Sequence, residues 1–353
     1  MTQNPLLSIV ITSYTTERLK DIFELLDSIK SQTLLTQQTQ RTQSTIEVIF
    51  VVERSRELYE KVKEYGERVL GPRFQVIGLN IDSEHRTWNV EHGTFVDGEP
   101  GLSAARNLGV MNAKGDMVGF VDDDVVLFPD WAEEMVKTYE DDSAIGVTGP
   151  AFPLWEDQSM SWLPEEFYWI ISCSAFTGWN GLRPVRSAWG NNMSFRKEAF
   201  NYCRFSQDFG QTMGEQEAWK AGPVDDAEFS INLRLKTRKS ILFNPRVRVK
   251  HKVYTYRLSQ KFIRGQCYWQ GYSKALLRKT YPDDPDTRAL VREHDLLRRI
   301  LFKLLPRTIK QFFTSPRVTW KRFALTITVL FYVALGYLSA YNKRLKDWCE
   351  KRI

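Results

Sequence analysis

The first 150 residues alternate between two hydrophobic patterns, and this alternation restricts the possible folds more than any other feature of the chain. Four short apolar runs have the length of buried strands: 7–12, 46–52, 74–79 and 117–122. Three longer segments place apolar residues at helical spacing: 18–31, 56–70 and 102–114. Strands that alternate with helices predict an α/β fold with a mostly parallel sheet flanked by helices on both faces.

Polar side chains follow three of these strands, at the point where each strand ends. Ser13 and Tyr14 come after the first strand, Glu53 after the second, and Asp122–Asp124 after the fourth. Ligands of parallel sheets bind at the carboxyl ends of the strands. The sequence therefore predicts a binding site along this edge of the sheet.

Less regular segments separate and follow these elements. The polar stretch 34–45 predicts a surface loop, and 80–101 predicts a long loop that holds His85 and His92. Beyond residue 152 we expect strands near 188–195 and 241–251, and basic helices within 255–300. The four cysteines are far apart, which argues against a zinc module or a disulfide scaffold and favours a reducing compartment. The start has no basic n-region, so we expect no signal peptide.

The C-terminal segment combines an apolar helix with basic flanks. Residues 323–341 contain no charged side chain and would form a helix of about 28 Å, just long enough to cross the hydrocarbon core of a bilayer. Three interpretations remain open, namely a helix that crosses the membrane, one that lies in its plane, and an ordinary core helix. The larger number of basic residues before the segment predicts that the preceding domain lies in the cytoplasm.

The positive charge is concentrated in this tail. Residues 298–353 contain 13 Lys and Arg against Asp347 and Glu350, whereas residues 1–297 have a net charge of −5. A nucleic-acid-binding protein would instead carry its basic residues on the folded domain. The distribution therefore predicts no nucleic-acid partner and favours an anionic membrane surface.

The segment 101–124, GLSAARNLGVMNAKGDMVGFVDDD, contains the chemistry that is most specific. An apolar strand delivers three consecutive carboxylates to its carboxyl end, where they would repel one another without a cation. Alternation along a strand would place Asp122 and Asp124 on one side and Asp123 on the other. Oxygen ligands of this kind suit Mg²⁺ or Mn²⁺. The alternative is an acidic turn that caps a helix starting near Pro129.

The same segment resembles the signature of family 2 glycosyltransferases, in which a G-x-S-x-A-R-N-x-G helix precedes a strand that ends in D-x-D. The opening SIVITSYTTERL is similar to the first strand and nucleotide loop of that family, and EVIFVVERS to its second strand, with Glu53 in place of the usual Asp. The resemblance covers roughly residues 6–255. It implies a GT-A fold, a Rossmann-like sheet that binds a nucleotide sugar, most simply a uridine diphosphate sugar.

The resemblance also assigns roles to individual residues. The nucleotide-sugar-binding residues would be Ser13, Tyr14, Glu53, Arg106, Asp122 and Asp123. Arg106 has a structural alternative, pairing with Asp122 or Glu53. The metal ligands would be Asp124 and His251, although a single histidine is often only structural.

A second acidic motif, VDDAEF at 224–229, precedes a helical piece. The resemblance implies that Asp226 is the general base, which needs an ionised carboxylate near the acceptor hydroxyl. Alternatively, Asp225 and Asp226 only cap the helix. Glu215 and Glu217 are the other candidates for the base.

The resemblance implies that an aromatic and acidic cluster binds the acceptor, with Trp155 and Glu156 as its main members, and Asp225 is a further acceptor-binding candidate. The run GPAFPLW…WLPEEFYWI resembles prokaryotic hexuronosyltransferases that extend lipid-linked sugars. The alternative is an irregular loop whose tryptophans pack inward.

Together these features predict a GT-A domain over 1–255, with a nucleotide-binding half (1–125) and an acceptor half (126–255), and a basic helical, membrane-associated region over 256–353. The predicted activity is an inverting, metal-dependent transfer from a nucleoside-diphosphate sugar to a lipid-linked sugar or a nascent polysaccharide, on the cytoplasmic face of a membrane. The alternative function is a silent membrane-bound scaffold that binds nucleotide sugars without turnover. A nucleotidyltransferase is disfavoured because SYTTERLK lacks a glycine-rich phosphate loop.

Overall fold

The structure, a computed structural model, describes residues 6–36, 46–81, 94–96, 101–207, 224–282, 284–285 and 291–350. The chain divides into two compact units. The first unit comprises Met1–Phe152, Trp179–Ala218 and Asp225–His251, and the second comprises Pro153–Gly178, Trp219–Val224 and Lys252–Ile353. The predicted domain division after residue 255 stays a prediction, because compactness alone assigns no function to either unit.

The described part of the first unit is built on a nine-stranded sheet. Its strands are β1 (Leu7–Ser13), β2 (Ile46–Glu53), β3 (Phe74–Leu79), β4 (Thr94–Val96), β5 (Met117–Asp122), β7 (Ala144–Thr148), β9 (Arg183–Val185), β10 (Met193–Arg196) and β11 (Ser240–Phe243). They lie in the order β4-β3-β2-β1-β5-β10-β7-β11-β9. The first five are parallel to one another, and β10 is antiparallel to both of its neighbours. The predicted α/β fold with a mostly parallel sheet is therefore confirmed.

Helices cover both faces of this sheet. They are α1 (Leu19–Lys30), α2 (Thr33–Thr36), α3 (Arg56–Leu70), α4 (Leu102–Asn112), α5 (Trp131–Thr138) and α6 (Asp225–Thr237). Side chains alternate across β1, so that Leu7, Ile9 and Ile11 enter the core beneath α1, α3 and α5, whereas Val10 enters the core beneath α4 and α6. Burial on both faces explains why these strands read as continuous apolar runs.

A glycine allows α4 to approach β1 closely enough to align the site. A Cβ on Gly109 would lie 2.3 Å from Val10 Cγ1, whereas one on Gly181 would meet nothing within 4 Å. We expect Gly109→Ala to lower the free energy of unfolding by about 1–3 kcal/mol, because overpacking displaces side chains or backbone. Urea denaturation measures this, with Gly181→Ala as the matched control. Equal stability of the two variants would contradict the close packing.

A second sheet has three strands. Its strands are β6 (Val125–Leu127), β8 (Ala151–Trp155) and β12 (Val249–Val253), in the order β6-β12-β8. β12 pairs antiparallel with β6, with His251 opposite Val125. This pairing returns the chain to the carboxyl end of β5 after more than 120 residues.

The second unit is mainly helical where it is described. It contains 3₁₀ turns at Gln158–Trp162, Glu165–Ile171 and Thr255–Leu258, a π turn at Ile300–Leu304, and helices α7 (Gln260–Thr280), α8 (Val291–Arg299), α9 (Leu305–Lys310), α10 (Pro316–Ser339) and α11 (Lys343–Glu350). Helix α10 is long and apolar enough to cross a membrane by length and composition. The predicted helical character of 255–300 is confirmed for Gln260–Thr280 and Val291–Arg299.

Four predicted segments differ in the structure. The predicted loop at 80–101 contains β4, which pairs with β3. The predicted loop at 34–45 is wrong at its start, because α2 includes residues 34–36, and residues 37–45 lie outside the described part. The strand predicted near 188–195 begins only at Met193, after an isolated bridge between Trp189 and Asn192. The segment 241–251 forms two strands, because the chain turns at Asn244, whose backbone C=O accepts from Val247 N–H.

Candidate active site

The three consecutive aspartates lie where β5 ends beside β1. Asp122 is the last strand residue and is in register with Thr12, while Asp123 and Asp124 form the turn that follows. The side chain of Asp122 is 35% exposed, whereas those of Asp123 and Asp124 are buried. The parallel arrangement of β1 and β5 therefore brings the carboxylates next to the segment that follows β1.

His251 joins this cluster through the pairing of β12 with β6. Its Nε2 atom lies 3.2 Å from Asp124 Oδ1, and both side chains are buried. One possible ligand atom each from Asp122, Asp124 and His251 lie within 4.8 Å of one another. Two carboxylates and one imidazole are ligands that Mn²⁺ accepts, and open positions would remain for a diphosphate. The donor set therefore fits a divalent cation.

Arg18 is a site residue that the sequence did not single out. Its Nη1 atom lies 2.6 Å from Asp123 Oδ1 and 3.0 Å from Asp124 Oδ2. Arg18 ends the 3₁₀ turn Thr16–Arg18, directly after β1. The signal that could have identified it is the parallel pairing of β1 with β5, since a cation just after β1 must lie near the carboxyl end of β5.

The electrostatics of the cluster are consistent with a site for positive charge. Burial raises the pKa of Asp122 above its ordinary value, and Arg106 opposes this effect. Burial likewise raises the pKa of Asp123, and Arg18 opposes it. Asp124 raises both pKa values further, because like charges repel. Additional positive charge would therefore favour the ionised carboxylates.

Arg106 connects the aspartates of β5 to the second acidic motif. Its Nη1 donates to Asp225 Oδ2 at 2.8 Å, its Nη2 lies 3.7 Å from Asp122 Oδ1, and both Arg106 and Asp225 are buried. Ser103 Oγ also donates to Asp225 Oδ2, at 3.1 Å. The sequence named Asp122 and Glu53 as possible partners of Arg106, and Asp225 is the partner that only the structure reveals.

Asp226 lies in the first turn of α6, and each of its two carboxylate oxygens accepts a hydrogen bond from a backbone N–H group. Its Oδ2 accepts from Gly190 N–H at 2.7 Å, and its Oδ1 accepts from Ala227 N–H at 2.6 Å. Burial and the neighbouring Asp225 raise the pKa of Asp226 to about 6, although Arg106 and the two backbone donors oppose the shift. The contact with Ala227 satisfies a backbone N–H in the first turn of α6, so a role at the helix terminus and the general-base interpretation are compatible.

Glu53 anchors the start of α4 at the end of β2. Its Oε2 accepts from Gly101 N–H at 3.0 Å, and its Oε1 lies 3.2 Å from Arg54 Nε. Burial raises the pKa of this carboxyl, and Arg54 opposes the rise. Ser13 is buried and Tyr14 half-buried at the end of β1. Nucleotide contacts by these three residues stay predictions.

The predicted acceptor residues are divided between the units. The ring of Trp155 packs edge-on against Tyr168, with centroids 5.8 Å apart, and Glu156 Oε2 accepts from Thr255 N–H at 2.6 Å. Asp225, by contrast, is the ion-pair partner of Arg106. Their roles in acceptor binding stay predictions. The alternative bases Glu215 and Glu217, together with His85 and His92, lie outside the described residues.

Comparisons with known proteins identify the family of this chain. Glucosyl-dolichyl phosphate glucuronosyltransferase of Haloferax volcanii is 25% identical over 346 residues, which cover 98% of each chain. The crystal structure of S. aureus TarS 1-349 has 14% sequence identity and a TM-score of 0.46, and the match covers 96% of this chain and 82% of that chain. The sequence model described as Glycosyl transferase family 2 matches residues 8–203, more than half of the chain. The chain therefore belongs to glycosyl transferase family 2 and is a glycosyltransferase.

Proposed function

We propose that this glycosyltransferase carries out an inverting, metal-dependent transfer from a nucleoside-diphosphate sugar, with uridine as the base, to a hydroxyl of a lipid-linked sugar. The observation that carries the proposal is the connection through Arg106 between the carboxylate cluster of β5 and the acidic start of α6. The carboxylate cluster of β5 is suited to a diphosphate and its cation. The acidic start of α6 is suited to an acceptor hydroxyl.

Asp122, Asp124 and His251 would hold Mg²⁺ or Mn²⁺, which supplies positive charge for the departing diphosphate when bound. Ser13, Tyr14, Glu53 and Asp123 would bind the nucleotide and sugar at the carboxyl ends of β1, β2 and β5. Arg106 keeps Asp122 and Asp225 in place from its buried position. With these roles assigned to the other residues, Asp226 is the carboxylate that would accept the proton.

In the proposed reaction, the acceptor oxygen forms a bond to the anomeric carbon on the face opposite the diphosphate. The bond from that carbon to the diphosphate oxygen breaks, and its electron pair leaves with the diphosphate. Asp226 takes the proton of the acceptor hydroxyl. A single displacement of this kind inverts the anomeric configuration and needs no covalent enzyme intermediate.

A lipid-linked acceptor is supported by two observations. The Haloferax volcanii relative is named for a glucosyl-dolichyl phosphate acceptor and a glucuronosyl donor. The basic C-terminal region with its apolar helix α10 suits the anionic cytoplasmic leaflet of a membrane, so we place the catalytic unit on the cytoplasmic face. Trp155 and Glu156 would contact the acceptor. A nascent polysaccharide is the other acceptor to include in the test.

The direct test is release of nucleoside diphosphate from a panel of nucleotide sugars, with and without Mn²⁺ or Mg²⁺. Lipid-linked monosaccharides and polysaccharide fragments serve as acceptors, and the anomeric configuration of the product is determined by NMR. We expect metal-dependent release from one uridine-linked donor and an inverted product. Tight donor binding without turnover on any acceptor would instead favour the silent binding scaffold.

The pH dependence of the rate follows from the raised pKa of Asp226. The base must be ionised, so we expect kcat/KM to be level above about pH 7 and to fall about tenfold per pH unit well below pH 6. Initial rates from pH 4.5 to 8 at saturating metal measure this, and circular dichroism checks that the protein stays folded over the same range. A rate that is constant from pH 5 to 8 would contradict the assignment.

A further inference from the structure

Helix α10 presents an apolar stripe to its surroundings along its whole length. The stripe follows helical spacing and consists of Trp320, Ala324, Ile327, Phe331, Ala334, Leu338 and Tyr341, the last just beyond the helix. Trp320 is 65% exposed, Ile327 68% and Phe331 59%. No charged residue interrupts this stripe.

The opposite stripe, which faces the rest of the second unit, mixes polar and apolar residues. Its buried members are Thr319, Leu325, Thr326, Val329, Gly336 and Ser339. Ser339 Oγ donates to Tyr268 Oη at 2.8 Å, and Thr326 Oγ1 donates to the Arg322 carbonyl at 2.8 Å. In a helix on the surface of a water-soluble protein the apolar face is the buried one. In α10 the exposed face is apolar as well as the buried one, which indicates that the exposed face meets an apolar medium.

Helix α7 packs closely against the buried face of α10. The two helices touch through glycines, since a Cβ on Gly336 would lie 1.8 Å from the Tyr268 carbonyl oxygen, and one on Gly271 would lie 2.0 Å from that of Val333. Because the backbones of α7 and α10 are in direct contact at these glycines, we expect the two helices to move together. Any position of α10 in a membrane therefore determines the position of α7.

Helix α7 brings charged groups against the uncharged segment of α10. Arg264 lies over the ring of Tyr332, at the centre of the segment, with its Cζ 5.9 Å from the ring centroid. Arg278 Nη1 donates to Tyr337 Oη at 2.8 Å, and Lys279 Nζ donates to the Ala340 carbonyl at 2.5 Å. A membrane-crossing α10 would carry Arg264 into hydrocarbon, which is unfavourable. One face of α10 can contact lipid while α7 stays in water.

The segment before α10 continues the same kind of surface. Phe302 is 77% exposed and Phe313 89%, and basic side chains lie between and after these aromatics: Lys303, Arg307, Lys310, Arg317 and Lys321. Apolar groups interleaved with Lys and Arg suit the interface of an anionic bilayer. A second copy of the chain is the less favourable partner. Residues 298–353 have a net charge of +11, and the same region of a second copy would be repelled by it.

We propose that residues 300–341, the docking face, bind the surface of an anionic lipid bilayer with α10 lying in the membrane plane and not crossing it. The exposed stripe would enter the boundary between head groups and acyl chains, and the lysines and arginines would contact lipid phosphates. The proposal rests on the second unit alone. Its failure would leave the donor assay unaffected, and failure of the proposed reaction would leave lipid binding unaffected.

Flotation of the full chain with phosphatidylglycerol-containing vesicles or pure phosphatidylcholine vesicles tests the lipid partner. We expect binding to the anionic vesicles that weakens with salt, and a loss of at least about tenfold in Ile327→Ser/Phe331→Ser, since binding scales with apolar area buried. Lys303→Glu/Lys310→Glu/Lys321→Glu should lose binding to anionic vesicles and keep the fold. The controls are Leu182→Ser and Lys30→Glu, at exposed positions of the first unit.

Cysteine labelling distinguishes an in-plane helix from a crossing one. Thr314→Cys and Lys343→Cys place thiols on exposed residues at the two ends of α10, and the four native cysteines are buried. In sealed membrane vesicles we expect a membrane-impermeant maleimide to label both positions from the same side. Labelling from opposite sides would overturn the in-plane arrangement. Equal flotation of the docking-face variants and the wild type, or self-association without lipid binding, would overturn the lipid assignment.

Discussion

Replacing Asp226 with Asn should lower kcat by about 10³-fold and leave donor binding nearly unchanged. General-base catalysis contributes about 10²- to 10⁴-fold, and an amide cannot accept the hydroxyl proton at neutral pH. The change is nearly isosteric, so one side-chain oxygen can still accept from Gly190 or Ala227 N–H. The measurement is kcat and KM for diphosphate release, together with the dissociation constant of the donor by calorimetry.

The matched control for this variant is Glu228→Gln, which removes a carboxylate from the same first turn of α6. We expect its kcat to stay within about threefold of wild type, because Glu228 contacts Asn232 on its own helix. If both variants retain wild-type turnover, Asp226 is only a capping residue. Loss of donor binding in Asp226→Asn would instead place its carboxylate in the donor site.

Replacing Asp124 with Asn should weaken Mn²⁺ binding by at least about 10²-fold. Residues that only support metal ligands typically contribute 10- to 100-fold in affinity, so loss of a charged ligand should have at least that effect. Asp124 is the centre of the cluster, with His251 Nε2 at 3.2 Å from Oδ1 and Arg18 Nη1 at 3.0 Å from Oδ2. Electron paramagnetic resonance of free Mn²⁺ measures the affinity without any turnover.

His251→Gln should show a smaller loss of affinity in the same titration, since the imidazole contributes no negative charge. Asp130→Asn is the control, because Asp130 pairs with Arg248 on the partly exposed start of α5. Circular dichroism melts confirm that each variant is folded before titration. Unchanged Mn²⁺ affinity in both Asp124→Asn and His251→Gln would show that the cluster is not a metal site and that its cation is Arg18.

The local elements could be predicted from the sequence because their signals are short-range. The apolar run of β2 and the helical spacing of α3 lie within a few residues of chain, and their bounds agree with the predictions to within one residue. Errors occurred where tertiary contacts override local composition. Thr33, for example, begins the short α2 with its N–H bonded to the Pro129 carbonyl, which no local pattern encodes.

The partners within the site could not be predicted in the same way. Arg106 and Asp225 are separated by 119 positions, and Arg18 and Asp123 by 105. Both Arg106 and Asp225 were named from the sequence, but for different roles, the nucleotide and the acceptor. Only the fold shows that a single ion pair connects them.

The sequence by itself determined the α/β fold, the family and the carboxylates at the strand ends, because these follow from periodicity and from motifs contiguous in the chain. Only the tertiary structure decided that Arg18 pairs with Asp123 and Asp124 and that Asp226 accepts from Gly190. It also decided that α10 faces outward with its apolar side while α7 covers the other. The physical reason is that hydrogen bonds, ion pairs and close backbone contacts depend on distances in space between residues far apart in the chain.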